Sequence, residues 1–162
     1  MQRKARISVI GPAQTSPEML TTAEEVGLEI AKHSAVLLCG GLGGVMEAAA
    51  RGARSAGGLT VGILPGIDAG EANAFIDVPL ATGLGEARNI LVVRAAQAVI
   101  AVGGSYGTLS EIAFALKMGV PVIGLATWQL RAPDGTEAPI IPASSAREAV
   151  EKAIRIIQGK NP

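Results

Sequence analysis

The chain has 162 residues with 14 basic and 14 acidic side chains, so its formal net charge is zero and gives no reason to expect nucleic acid or a membrane surface as a partner. Nearly half of the residues (49%) are apolar, but there are only two Phe, one Tyr and one Trp. The core must therefore be aliphatic, and too few aromatic rings remain to stack the bases of a single strand.

Cysteine and histidine are too scarce for several kinds of site. The only cysteine is Cys39, so an internal disulfide is excluded. The only histidine is His33, so the chain lacks the ligands of a histidine-based zinc centre and offers one candidate for the base of a Ser-His-Asp triad. We therefore predict no metal site. For Cys39, His33 and Trp128 we expect a buried thiol, a helix-end histidine and a loop aromatic. No apolar run reaches the roughly 18 residues of a membrane span and no secretion signal is recognisable, so we expect a soluble, cytoplasmic protein.

Short apolar runs alternate with helical patterns along the chain. Strands are predicted at residues 7–10, 35–38, 59–64, 74–78, 98–102 and 120–125. Helices are predicted at residues 15–34, 45–56, 82–96 and 144–158, with a further helix that follows the fifth strand and ends at Lys117. Because the strands are apolar throughout, both faces of the sheet must be covered. The pattern predicts a single α/β domain over residues 1–162, with a doubly wound, mostly parallel, Rossmann-like sheet.

A strand, a glycine-rich turn and a helix between Gln97 and Leu116 give the main functional signal. The apolar run at residues 98–102 is followed by residues 103–107, Gly-Gly-Ser-Tyr-Gly, and then by apolar residues at helical spacing. The amides of such a turn, together with a helix N-terminus, form a cavity for an oxyanion, most often a phosphate.

Another glycine cluster, residues 40–44, also lies between a predicted strand and a predicted helix. It is not the dinucleotide fingerprint, because Met46 stands where the third glycine belongs, and it has no P-loop ending. It either packs main chain tightly at a corner or binds ligand, and both clusters fall at the carboxyl edge of the sheet. The predicted ligand-binding residues are Gly40, Gly41, Gly43, Gly44, Gly103, Gly104, Ser105, Gly107 and Thr108.

Two charged residues near the turns have alternative interpretations. Thr108 and Glu111 form a Thr-x-x-Glu capping box, so Glu111 either caps its own helix or binds ligand. Arg88 falls in the first turns of a predicted helix, where the helix dipole opposes a cation, so it either faces solvent or has an anionic partner. The apolar helical segment at residues 90–93 indicates deep burial or self-association, and we expect a homo-oligomer, a dimer or a tetramer.

Four motifs together resemble the LOG superfamily, over about residues 7–123. They lie at residues 40–47, 62–66, 82–89 and 103–111. The superfamily includes cytokinin riboside 5'-monophosphate phosphoribohydrolases and molybdenum cofactor carrier proteins, and many of its members carry the label lysine decarboxylase. That last activity needs pyridoxal phosphate on a lysine, and none of the five lysines lies in a glycine turn.

The resemblance implies either of two functions. In a phosphoribohydrolase, Arg88 and Glu111 would be the catalytic pair, no cofactor would be required, and the N-glycosidic bond of an AMP-like nucleoside monophosphate would be hydrolysed. In a carrier, the turn at residues 103–107 would hold the phosphate of the molybdenum cofactor and no bond would break. A regulatory nucleotide-binding module is a third interpretation. Asn89 replaces the lysine of the hydrolases, Gly103 and Ser105 replace Pro and Gly of their signature, and Cys39 and Glu47 replace two glycines. The motifs are closer to the carrier branch, but both catalytic positions are kept, so we favour the hydrolase, with the carrier second and the regulatory module third.

Overall fold

A computed structural model describes residues 3–160 and contains one seven-stranded sheet. The strands are β1 (Arg6–Ile10), β2 (Val36–Cys39), β3 (Thr60–Leu64), β4 (Val78–Ala81), β5 (Ala98–Val102), β6 (Val122–Leu125) and β7 (Ile140–Pro142). All neighbouring strands are parallel, in the order β4-β3-β2-β1-β5-β6-β7. The prediction of a doubly wound, Rossmann-like α/β fold is confirmed, with a sheet that is parallel throughout.

The helices cover both faces of this sheet. They are α1 (Pro17–Lys32), α2 (Val45–Ser55), α3 (Asn89–Arg94), α4 (Tyr106–Lys117) and α5 (Ala146–Ile157). Buried side chains of α1, α2 and α5 pack on one face, and those of α3 and α4 pack on the other. In α3, Val92 and Val93 are fully buried within the chain. Deep burial therefore explains much of the apolar segment at residues 90–93, and the oligomeric state stays a prediction.

The contact between α1 and α2 depends on two glycines. A Cβ at Gly27 would overlap the carbonyl oxygen of Ala49, and a Cβ at Gly52 would overlap that of Glu24. The two helices therefore touch through main chain at reciprocal positions. The small residues that follow the first glycine cluster serve this helix contact as well as packing against the sheet.

Three predicted elements have other bounds in the structure, and one strand was not predicted. The strand predicted at residues 74–78 lies instead at Val78–Ala81, with Pro79 inside it; β4 is an edge strand, where a residue without an N–H is tolerated. Strand β7 was not predicted. Helix α1 begins at Pro17, with the Ser16 hydroxyl accepting from the Met19 amide, rather than at residue 15 or near Thr21. The helix predicted at residues 82–96 is a 3-10 helix, Gly85–Arg88, followed by α3.

None of the helices within residues 3–160 combines the length and the apolar character needed to cross a membrane. His33 is the C-cap of α1, and Cys39 is fully buried, as expected.

Candidate functional site

The carboxyl ends of β2, β1 and β5 lie side by side, and the chain reverses its direction of winding between β1 and β5. Ligands of doubly wound sheets bind in the crevice beyond such a reversal. The turn at residues 40–44 follows β2, and the turn at residues 103–107 follows β5. The fold therefore brings both predicted turns to one edge, separated by the end of β1.

The turn after β5 presents unpaired amides. Gly103 has a φ of +66°, which favours glycine, and its amide donates to the carbonyl of Leu125 at 3.0 Å. Within residues 3–160, the next four amides, of Gly104, Ser105, Tyr106 and Gly107, have no protein acceptor. Successive free amides at a helix N-terminus suit an oxyanion, because both the N–H groups and the helix dipole favour negative charge.

The N-cap of α4 is Ser105, not Thr108. The Ser105 hydroxyl accepts from the Thr108 amide at 3.3 Å and lies 3.1 Å from the Thr108 hydroxyl. The predicted capping box of Thr108 and Glu111 is therefore wrong: the helix starts one turn earlier, and Glu111 lies in its second turn, beyond the reach of the free terminal amides. Glu111 makes no capping interaction that would account for its position.

Glu111 is a buried carboxyl group with only 9% of its surface exposed. Loss of solvation raises its pKa to about 7, and the positive charge of Arg88 acts in the opposite direction. The fully buried thiol of Cys39 is close enough to interact electrostatically with both groups, and burial raises the pKa of this thiol to about 11. A carboxyl group whose pKa lies near neutrality can exchange a proton at physiological pH.

Arg88, at the end of the 3-10 helix, is buried and held by main chain. Its Nη1 donates to the carbonyl oxygens of Gly40 and Ile63, at the ends of β2 and β3. Its Nε donates to the side-chain oxygen of Asn89 at 3.1 Å. The solvent-exposed interpretation of Arg88 is thus wrong, since its exposed fraction is 8%. Burial lowers the pKa of Arg88, and the nearby Glu111 charge opposes this effect.

The turn after β2 is largely filled by the protein itself. A Cβ at Gly40 would meet the Arg88 guanidinium and the Met46 sulfur, and one at Gly41 would lie 2.7 Å from the Leu64 side chain. A Cβ at Gly44 would overlap the main chain of residues 12 and 13, and the Val45 amide donates to the Pro12 carbonyl at 3.0 Å. Close packing is a sufficient reason for glycine at these three positions. At Gly43 the nearest atoms are 4.0 Å from the built Cβ, so this residue keeps free space.

Two residues outside the predicted site shape the turns. The Asn73 side-chain amide donates to the carbonyls of Gly41 (3.2 Å) and Leu42 (2.8 Å), which fixes the first turn. The Trp128 Nε1 donates to the carbonyl of Ser105 at 3.0 Å, and its ring lies 6.0 Å from that of Tyr106. The position of Trp128 just after β6 was the available signal, because that strand ends at the same edge of the sheet. Asn73 has no comparable signal in the sequence.

Comparisons with known proteins identify a family and several relatives of this chain. The model of the SLOG cluster4 family (LDcluster4) matches residues 4–159. A protein of Archaeoglobus fulgidus described as uncharacterised is 50% identical over 120 residues, which are 74% of this chain and 79% of that protein.

Two solved structures of named proteins are also similar. The molybdenum cofactor binding protein of the phototrophic bacterium Rippkaea orientalis is 38% identical, with a TM-score of 0.87 over 97% of this chain and 99% of that chain. The molybdenum cofactor carrier protein of Chlamydomonas reinhardtii is 35% identical, with a TM-score of 0.83 over 97% of this chain and 100% of that chain.

Proposed function

The chain belongs to the SLOG cluster4 family, which confirms its resemblance to the LOG superfamily, and we propose that it is a cytoplasmic carrier that binds the molybdenum cofactor or a closely related phosphorylated pterin. The free amides of residues 104–107 carry the proposal, since they supply the donors that a phosphate monoester needs. The similarity to two molybdenum cofactor proteins supports the identity of the cargo.

The residues of the turn after β5 have different roles in binding the phosphate. The main-chain N–H groups of Gly104, Ser105, Tyr106 and Gly107 hold the phosphate oxygens. Ser105 keeps α4 intact at its first turn through its hydroxyl, while Thr108 is buried behind that hydroxyl. No lysine lies in the turn, so affinity depends on dipoles and amides rather than on a paired cation. Gly43 adds a second contact from the other turn.

A carrier is favoured over a hydrolase by the way Arg88 is used. Three of its five N–H donors, on Nε and Nη1, are used by the Gly40 carbonyl, the Ile63 carbonyl and the Asn89 side chain, so only the Nη2 group is left for a substrate. Its main role is then to tie β2 and β3 together beneath the crevice.

Hydrolysis of a nucleoside 5'-monophosphate is the second candidate, and the pKa of Glu111 near 7 favours it. In that reaction water adds to the ribose C1' as the C1'–N bond breaks and the base leaves with a proton. The ionised carboxylate would stabilise the oxocarbenium-like transition state. A regulatory nucleotide-binding module would use the same phosphate contacts without any reaction.

Binding and turnover distinguish these candidates. We expect purified protein to retain molybdenum cofactor or to bind it when mixed, detected by the fluorescence of the oxidised pterin, with loss of binding in Ser105→Asp. Incubation with AMP should release neither adenine nor ribose 5-phosphate. If wild type releases adenine and ribose 5-phosphate and Glu111→Gln does not, the protein is a hydrolase instead. Light scattering of the same sample would test the expected dimer or tetramer.

A further inference from the structure

A cavity of about 630 Å³ opens beyond the carboxyl end of β6, under the loop that leads to β7. Gly124 of β6, residues 126–131 and residues 137, 138, 140, 142 and 143 supply its walls. Its volume is within the range of sites that bind small organic molecules. Neither glycine turn lines it, so it is a separate compartment at the same edge of the sheet.

Trp128 joins this cavity to the phosphate turn. Its indole lines the cavity, while its Nε1 donates to the Ser105 carbonyl. A Cβ at Gly104 would lie 2.7 Å from the same nitrogen, so the turn and the indole are in direct contact. The Trp128 indole is therefore a shared wall, and the cavity adjoins the turn that carries the free amides.

One buried polar group of a residue that lines the cavity is not used by the fold, and two charged residues lie at the rim. The buried Thr127 Oγ1 has no hydrogen-bond partner within residues 3–160, although Thr127 lines the cavity. Burial of an unpaired hydroxyl is unfavourable, and a ligand in the cavity would pair with it once the Thr127 side chain turns toward the cavity. At the rim of the cavity, Arg131 and Glu137 form an exposed ion pair at 3.2 Å. Next to Thr127, the main chain of Ala126 has a φ of +48°, which is strained for a residue with a Cβ.

From these observations we infer that the cavity receives a planar heteroaromatic ring, pterin or purine, of a ligand whose phosphate is held by residues 104–107. This inference rests on the proposed function, since it assumes the phosphate position. An indole wall suits the face of such a ring, and the Thr127 hydroxyl together with the polar rim suits its hydrogen-bonding edge. Because Glu111 and Arg88 lie on the β2 side of the turn and the cavity lies on the β6 side, a ring held here is kept away from the buried carboxyl group.

Calorimetric titration of the whole chain with three probes tests the inference: inorganic phosphate, neopterin monophosphate and AMP. Wild type should bind at least one ring-bearing probe more tightly than phosphate, and only the ring-bearing probe should quench the single tryptophan. Ala138→Phe, which fills the cavity, should weaken that probe by about tenfold and leave phosphate within about twofold. Ala87→Phe, at an exposed position beside Arg88, is the matched control and should change neither affinity.

Thr127→Val provides a second variant in case Ala138→Phe does not fold. It should lower the affinity of the ring-bearing probe about fivefold, raise the melting temperature, and leave phosphate binding unchanged. If wild type binds phosphate and both ring-bearing probes with equal affinity, the inference is overturned but the proposed function is not. The same holds if Ala87→Phe weakens binding of the ring-bearing probe and the cavity variants do not. Failure of wild type to bind phosphate or either monoester would overturn the proposed function and this inference together.

Discussion

Arg88 and Glu111 are both buried and close enough for their opposite charges to interact, yet Arg88 directs its Nη1 hydrogen bonds to the carbonyl oxygens of Gly40 and Ile63. The carboxyl group is thus stabilised by the nearby charge but not by a direct donor, and desolvation prevails. This imbalance raises the pKa of Glu111 and makes the pair sensitive to pH near neutrality.

We expect Glu111→Gln to stabilise the protein above neutral pH. In the folded state the pKa of Glu111 is about 7, above its ordinary value of 4.5, so its ionisation destabilises the fold progressively as pH rises from about 4.5 to 7. The variant should gain about 2 kcal/mol in the free energy of unfolding at pH 8 and nothing at pH 4. Urea denaturation across this pH range measures the effect, with the exposed Glu25→Gln as control. A wild-type stability that stays level between pH 5 and 8 would contradict the assignment.

Sulfate binding should strengthen on acidification. Sulfate keeps its charge over this range, whereas protonation of Glu111 removes a negative charge from the same helix that carries the anion turn. We expect affinity to increase about fivefold between pH 8 and 6, equivalent to about 1 kcal/mol of partly screened repulsion. Glu111→Gln should bind with the tighter affinity at both values, and a pH dependence that survives in this variant would assign the effect to another group. Calorimetry at constant ionic strength provides the measurement.

Substitutions of Ser105 separate capping from anion binding. Ser105→Ala removes the acceptor for the Thr108 amide and should cost about 1 kcal/mol of stability. Ser105→Asp keeps a good N-cap but places a negative charge among the free amides, so stability should stay within about 0.5 kcal/mol of wild type while sulfate affinity falls at least about tenfold. Thermal melts and sulfate titrations of both variants report the two effects. Undiminished sulfate binding by Ser105→Asp would mean that the anion binds elsewhere.

Gly44 should tolerate substitution far less well than Gly57, although both have positive φ angles, +66° and +72°. At Gly57 no atom of residues 3–160 lies within 4 Å of an added Cβ, so Gly57→Ala should cost only the backbone strain, about 1 kcal/mol. At Gly44 the methyl group would overlap the main chain of Pro12 and Ala13, and we expect a loss of at least about 3 kcal/mol. Chemical denaturation compares them, and equal losses would show that the loop after β1 moves aside readily.

The strands of the centre of the sheet could be predicted because each is a continuous apolar run bounded by a helix or a glycine turn. The edges could not. Pro79 was interpreted as the end of a strand, yet it lies inside β4, an edge strand, where proline is tolerated. The three residues of β7 include Pro142 and carry too little pattern to be recognised.

At the site, the segments that lie together could be predicted from the sequence, but the first residue of α4 could not. Ser105 and Thr108 are both acceptable N-caps, and the choice depends on the direction in which the glycine turn leaves β5. The burial of Arg88 was equally hidden, because its acceptors are main-chain carbonyls that any sequence would present. Side-chain patterns do not encode such partners.

The glycine contact between α1 and α2 has a mechanical consequence. At Gly27 and Gly52 the two helices touch main chain to main chain, with no side chain between them at these two points, so they should shift as one rigid body. The start of α2 adjoins Gly44, and Met19 near the start of α1 lies against Gly103. We therefore expect a displacement of either glycine turn to be transmitted to the other turn through the paired helices α1 and α2.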